Sequence, residues 1–364
     1  MTPPPLSPGD AVSLAAERMW RFEVPVLPVV DERDRYVGVV SIFSLLRRRV
    51  PGSTKVKSVL ERAPPVSDVS DPFQVAQKLV RTGLPGLAVV RNGRVEGVVS
   101  ARRVVSAMGL RAAASARLMM YPLEPLMPED SIEKARKLMA GVGLRIAPVA
   151  SEGRLEGVLL VYDLVNYIYS TPVRRDRRGE VKGDVEYFLD QPVRKVMHPA
   201  ERVVEADKSP SLQDLAEGAV VVGSSGKVVG IISPYLLLRR LLPAFREAGL
   251  PVRVEGVSEL DFISQRLIYR KVWDIARSVH ERGRLLELSL VVKPREKAGG
   301  RRRYDAYASV KLDVGVHSGK ASSWDPVEAA YEALDIAYRS FSKLKRKKRE
   351  ERVRAARRRK WLGS

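Results

Sequence analysis

Gly38-Val39-Val40-Ser41, Gly97-Val98-Val99-Ser100, Gly157-Val158-Leu159-Leu160 and Gly230-Ile231-Ile232-Ser233 are four versions of one tetrapeptide, with glycines 59, 60 and 73 residues apart. A fixed period of this size marks a structural repeat, because one such unit cannot bury its apolar face alone and stacks on its neighbours. Ahead of each tetrapeptide stand a short apolar run and a polar turn: Leu27-Pro28-Val29-Val30 with Asp31, Leu87-Ala88-Val89-Val90 with Asn92-Gly93, Ile146-Ala147-Pro148-Val149 with Glu152-Gly153, and Ala219-Val220-Val221-Val222 with Ser225-Gly226. Two apolar runs around such a turn predict a pair of strands. Helical patterns flank the pair. Asp130 to Met139 precedes the third unit with Ile132, Ala135, Leu138 and Met139 at helical spacing, and Asp163 to Ile168 follows it. Each repeat therefore reads helix, strand, strand, helix, and the fourth has a short first helix around Leu212 to Leu215.

Over residues 7–240 this pattern resembles the CBS domain. The resemblance implies two paired modules, residues 1–112 for repeats 1 and 2 and residues 113–245 for repeats 3 and 4. It also implies clefts of the kind that often take adenine nucleotides. Nucleotide-binding copies in the family carry a Ser or Thr three residues after the glycine, then an Asp at the start of the last helix. A carboxylate there accepts hydrogen bonds from ribose hydroxyls, while the helix N-terminus favours phosphate. Ser41, Ser100 and Ser233 match the hydroxyl position, but the Asp position holds Ser44, Arg103 and Leu236; the third copy has Asp163 with Leu160 in place of the hydroxyl. With both features in no single copy, the array reads as largely structural or as a docking surface. Asp163 is the one candidate nucleotide-binding residue, with a plain helix cap as its simpler role.

Charge sets the expected partner class. The 364 residues hold 64 Lys plus Arg against 43 Asp plus Glu, a net charge of +21. Polyanions follow as the default partner. Residues 251–364 hold 28 basic and 15 acidic side chains, and 12 of those cations fall in Phe341 to Ser364. Between repeats 3 and 4, residues 171–191 carry Arg174, Arg175, Arg177 and Arg178, then a short helix around Val185 to Leu189. A solvated loop is the simpler account; a second nucleic-acid contact is the functional one.

Past a linker at Arg246 to Pro251 the element order changes. Val252 to Val257 alternates as a strand, and Ser258 is the expected N-cap of a helix running to about Arg282. Leu286 to Val292 and Tyr304 to Leu312 alternate as a hairpin around Gly299-Gly300, Val316 to Ser322 is a fourth strand, and Asp325-Pro326 with Glu328 opens a last helix as cap, first-turn proline and capping-box acid. On the first helix Ile268, Val272, Ile275 and Val279 share one face and Arg266, Arg270 and Arg277 the opposite one. Lys293 and Lys311 fall on the strand register that two helices on one side of a sheet leave open. Trp273 is open to two readings, base stacking or packing.

This strand, helix, three-strand, helix order, with Gly319-Lys320-Ala321-Ser322 and the basic helix from Asp325 to Lys348, resembles the hibernation-promoting factor and protein Y family. Members of that family occupy the mRNA and tRNA channel of the small ribosomal subunit. Carried over, the resemblance implies rRNA contacts at Arg266, Arg270 and Arg277, at Lys293, Lys311 and Lys320 on the sheet, and at Arg339, Lys343, Lys345, Arg346 and Lys347 on the last helix. Its union with CBS repeats resembles archaeal ribosome hibernation factors of the dual ribosomal subunit inhibitor type. The expected fold class is α+β: four CBS-type repeats, then a β-α-β-β-β-α RNA-binding domain at residues 251–350 and a basic tail at 351–364. The expected partner is the ribosome, through small-subunit rRNA and also the large subunit.

Enzyme chemistry finds no footing in the sequence. There is no cysteine, and three histidines stand far apart, so neither a metal site nor an acid, base and nucleophile assembles. Gly315 to Ala321 has the glycines of a phosphate-binding loop too close together and an alanine where magnesium needs a hydroxyl. No membrane partner is expected, since no apolar run reaches the length of a spanning helix and the N-terminus lacks a signal-peptide pattern. The rival function is an adenine-nucleotide sensor that regulates transcription or a partner protein through the basic domain.

Overall fold

The computed structural model describes residues 3–169, 174–175, 181–182, 185–242, 250–296, 302–313 and 315–342. The chain divides into two compact units, one formed by residues 1–110 and 115–242 and the other by residues 243–364 with 111–114.

In the first unit the four strand pairs are Val26–Val30 with Tyr36–Ser41, Gly86–Arg91 with Arg94–Ser100, Ile146–Ser151 with Arg154–Leu160, and Ala219–Val222 with Val228–Ile232. All four are antiparallel and share one irregularity: an extra residue in the second strand, directly before the tetrapeptide glycine, shifts the register after Val29, Val89, Val149 and Val221. A bulge kept at one site in four copies is a designed bend. The glycines are explained by what lies against them. A Cβ on Gly38, Gly157 or Gly230 would stand 2.6, 2.5 and 2.5 Å from the carbonyl oxygens of Glu61, His198 and Tyr121, each on a segment that adds to the sheet edge there. Close backbone approach is thus what the glycine supplies in repeats 1, 3 and 4.

The helices make the unit one body. Those of repeat 1 pack on repeat 3, and those of repeat 2 on repeat 4. One apolar core runs from Leu6, Met19 and Leu45 in repeat 1 to Ile132, Met139 and Leu164 in repeat 3. Helix Val12–Phe22 shows how the sequence pattern does this: Val12, Ala15, Ala16 and Met19, at the spacing of one helical face, are fully buried. Arg136 is buried in the same interface, bonded to Glu133 and to the carbonyl of Leu46 across the repeat boundary. That pairing holds the Glu133 carboxyl down at about 2. The short helix Val185–Leu189 forms as expected, seating Phe188 and Leu189 in the interior.

The second unit is one sheet and two helices, and its elements are labelled here: β1 (Val252–Glu255), α1 (Phe262–His280), β2 (Leu285–Glu296), β3 (Arg302–Leu312), β4 (Gly315–Ser323) and α2 (residues 326–342). The sheet order is β1-β2-β3-β4, with β1 parallel to β2 and the rest antiparallel. Helix α1 is the crossover that a parallel pair requires. Leu288, Leu290, Val292, Ala306, Ala308 and Val310 form the covered sheet face, and Ile268, Val272, Ile275, Val279, Leu334 and Phe341 are the buried stripes of the helices. Tyr331 donates to the Leu267 carbonyl at 3.1 Å and Lys271 pairs with Asp335 at 2.7 Å, tying α1 to α2.

Two local expectations are corrected. The N-cap of α1 is Asp261, whose carboxylate accepts from Ser264 N at 3.1 Å; Ser258 lies in the turn before it and gives its carbonyl to Gln265. A short carboxylate directly before the helix reaches the free N–H groups, which a serine three residues earlier cannot. Asp325 caps α2 by accepting from Val327 N at 2.7 Å, but Glu328 accepts from the Ser323 hydroxyl instead of closing a capping box.

Candidate functional site

A concave feature beside Asp163 lies in the first unit, between repeats 3 and 4. This cavity of about 590 Å³ is lined by Arg145, Ile146, Leu160 and Asp163 from repeat 3, by His198, Arg202, Glu217 and Val220 from repeat 4, and by Glu23 and Arg102 from the other pair. Its size suits a nucleotide, ligand pockets commonly measuring about 300–1,000 Å³. Three guanidinium groups meet an apolar wall and the carboxylates of Glu23, Asp163, Glu201 and Glu217. Asp163 sits in the first turn of helix Val161–Tyr169. Its Oδ1 accepts the indole N–H of Trp20 at 2.9 Å, and Oδ2 lies 3.3 Å from His198 Nε2. The carboxylate faces the cavity and a neighbouring repeat, which separates it from a plain cap. Glu217 holds two of the arginines, Arg102 at 3.0 Å and Arg145 at 3.8 Å, with Arg145 also donating to the Glu217 carbonyl at 2.6 Å.

Two of the serines of the other copies are spent on helix caps. Ser41 caps helix Ile42–Arg47, accepting from Ser44 N, and donates to Glu61. Ser100 caps helix Ala101–Ala107, and the Ser233 hydroxyl is buried with no hydrogen-bond partner among the described residues. The cleft between repeats 1 and 2 is smaller, about 320 Å³, and has Arg103 where the ribose carboxylate would stand. Trp20, Arg102, Arg145, His198 and Arg202 were not legible as a group in the sequence, since they come from four separate segments and none lies in the tetrapeptide pattern.

In the second unit the expected cations divide between opposite surfaces. Lys293, Lys311 and Lys320 are exposed on the sheet face away from the helices, and none has a carboxylate partner among the described residues. Arg266, Arg270, Arg277 and Arg339 lie on the outer side of the helices: Arg266 packs over the Phe262 ring at 5.1 Å, Arg270 stands 3.8 Å from Asp274, and Arg277 and Arg339 are exposed. Trp273 is half-buried. Arg174 and Arg175 pair in backbone register with Val181 and Lys182, their side chains undescribed. Arg177, Arg178, Lys343, Lys345, Arg346 and Lys347 lie outside the described residues, as does the tail at 351–364. Among the described residues no group of acidic, histidine or cysteine side chains has the geometry of a metal site, and no helix is long and apolar enough to cross a membrane.

A four-repeat unit with a nucleotide-sized cleft and a separate α+β module define the class. Residues 1–50, 56–110 and 115–170 match the family model of the CBS domain, so the first unit contains CBS repeats. The chain is 24% identical over 354 residues to the protein MJ1404 of Methanocaldococcus jannaschii, covering 92% of this chain and 82% of that one. It is 28% identical over 251 residues to a 33.4 kDa protein of Thermofilum pendens described as lying in the ribosomal RNA operon, covering 61% of this chain and 82% of that one. Among solved structures it is similar to MJ1225 of M. jannaschii, described as an archaeal homologue of g-AMPK, with a TM-score of 0.55 at 16% identity over 66% of this chain and 96% of that one. That likeness concerns the fold.

Proposed function

We propose that the chain is a ribosome-bound factor whose second unit occupies the mRNA and tRNA channel of the small subunit and blocks translation, with the CBS unit adding ribosomal contacts. The observation that carries this reading is the β1-β2-β3-β4 sheet with both helices on one side and cations on both outer surfaces. A wedge that is cationic front and back suits a channel walled by RNA on both sides, where phosphate contacts supply affinity without reading sequence. The Thermofilum pendens relative, by its description a product of a ribosomal RNA operon, is consistent with this. Purified small subunits mixed with the protein and spun through a sucrose gradient test it: co-sedimentation that fades with added salt and inhibition of translation in a cell-free extract are the expected results. Protein that stays at the top of the gradient at low ionic strength would overturn it.

One observation favours a second reading of the first unit. Asp163, the three arginines and the apolar wall supply what an adenosine monophosphate needs: an acceptor for ribose hydroxyls, cations for phosphate and a surface for the base. The CBS family match also supports this reading. In it the cleft senses an adenine nucleotide. Calorimetric titration with AMP tests it, with binding lost in Asp163→Asn as the expected result and heat-silent mixing at millimolar AMP as the refutation.

A further inference from the structure

The sheet of the second unit leaves one face open, and its central side chains are neither apolar nor simply charged. Across the strands one row runs Val291, Tyr307, Lys320, and the next runs Ser289, Ser309, Ser318. Val291, Tyr307 and Ser309 are half-buried with only one side covered by the sheet itself, and the Lys320 ammonium lies 5.1 Å from the Tyr307 ring centre. Around them the acidic groups are largely consumed: Arg253 pairs with Glu255 at 2.5 Å, and Asp305 is held by the Ser322 hydroxyl and by Arg295 at 2.6 Å, below the usual carboxylate range. Lys293, Lys311 and Lys320 make no ion-pair contact among the described residues, although Lys293 has Asp305 and Lys311 has Glu287 across the register and Lys320 adds to the positive field on Asp305.

We propose that this face binds single-stranded RNA, with one base stacked on Tyr307, the serine row meeting ribose or base-edge polar groups, and Lys293, Lys311 and Lys320 meeting phosphates. The proposal deepens the RNA-binding reading above and rests on it. An aromatic ring at the centre of a flat sheet offers a π-face that every unpaired base can use and that a duplex, with its bases already stacked, cannot. The three hydroxyls can donate or accept, so they tolerate any base and can reach a ribose 2′-hydroxyl. Lys320, resting over the ring, exchanges that contact for a phosphate when the base arrives. A peptide partner is disfavoured on this face because backbone donors and acceptors are presented at the sheet's edges and not on its face, and the face's central rows mix a lysine and serines with a tyrosine and a valine.

The test uses the full chain, a short unstructured oligoribonucleotide containing 2-aminopurine, and a blunt RNA duplex. Stacking on Tyr307 quenches the 2-aminopurine, and Tyr307→Ala should abolish the quench and weaken oligonucleotide binding roughly tenfold, within the range of a lost base–aromatic stack. Tyr307→Phe should keep both, and neither change should alter duplex binding. Equal binding by Tyr307→Ala, equal losses for Ala and Phe, or equal losses on duplex and single strand would overturn the proposal. Small-subunit sedimentation run in parallel separates the two ideas: a wild-type protein that sediments with subunits yet ignores the oligonucleotide refutes the sheet-face site alone, whereas failure of both removes the RNA-binding reading as well.

Discussion

Gly319→Ala tests how closely a helix of the C-terminal fold lies on its sheet. Helix α2 crosses β4 at this glycine so closely that an added Cβ would stand 2.0 Å from the Ala333 carbonyl oxygen, 2.8 Å from Ala337 N and 2.9 Å from the Ile336 Cβ. All three neighbours are rigid parts of one helix, so no side chain can rotate away. Restoring an ordinary carbon–oxygen separation of about 3.3 Å lifts α2 by roughly 1.3 Å, and Val327, Leu334 and Phe341, all buried, withdraw with it. Overpacking of a tight core costs about 1–3 kcal/mol, and a clash against backbone belongs at the upper end. For a unit of this size each kcal/mol is worth about 4–8 °C, so its melting transition should fall by about 12–24 °C. Calorimetry of the full chain reads the shift, and hydrogen exchange on peptides from residues 326–342 assigns it to α2. Gly9→Ala, with nothing within 4 Å of the new carbon, is the control. A Gly319→Ala protein that melts within a degree or two of the parent, with unchanged protection in α2, would refute the packing argument.

Changing Lys293, Lys311 and Lys320 together to Gln should lower the log–log salt slope of RNA binding by about 2–3, since each phosphate contact contributes about 0.7–0.9; an unchanged slope would take these lysines out of the interface. Trp20→Phe removes the indole donor from Asp163, and AMP affinity measured by titration should rise about three- to tenfold, the size of a hydrogen bond worth about 1 kcal/mol; lower affinity would mean that Trp20 helps the ligand rather than competing with it. Glu133, paired with Arg136, has a folded-state pKa lowered from 4.5 to about 2. Its contribution to stability is complete above its unfolded value and is lost as pH falls towards about 2. Between pH 5 and pH 3 the parent should therefore lose more of its melting temperature than Glu133→Gln; parallel losses would sink the assignment.

The repeat architecture was legible because it is written in backbone requirements. Gly38, Gly157 and Gly230 each record a carbonyl oxygen 2.5–2.6 Å from where a Cβ would be, and a side chain there meets rigid backbone. The alternation of Leu288, Leu290 and Val292 and the helical stripe of Ile268 to Val279 likewise fixed which face is buried, since period 2 and period 3.6 are properties of the elements themselves. Placing Lys293 and Lys311 on an open face followed from the same register. The N-cap of α1 was misplaced because Ser258 and Asp261 both carry capping chemistry, and turn geometry chooses between them.

The cleft was another matter. Asp163 stood out by its position after the third glycine, yet its partners Trp20 and His198 lie 143 residues before it and 35 after it, and Arg102 reaches the same space from a different pair. Local periodicity cannot carry that information, because it is created only when repeat 1 packs on repeat 3 and repeat 3 on repeat 4. The sequence by itself determined the elements, their buried faces and the excess of cations, all of which depend on neighbours within a turn or a strand. The tertiary structure alone decided which charged groups converge on a cavity, which are cancelled by an ion pair and which face outward as a surface, because each of those depends on distances between residues far apart in the chain.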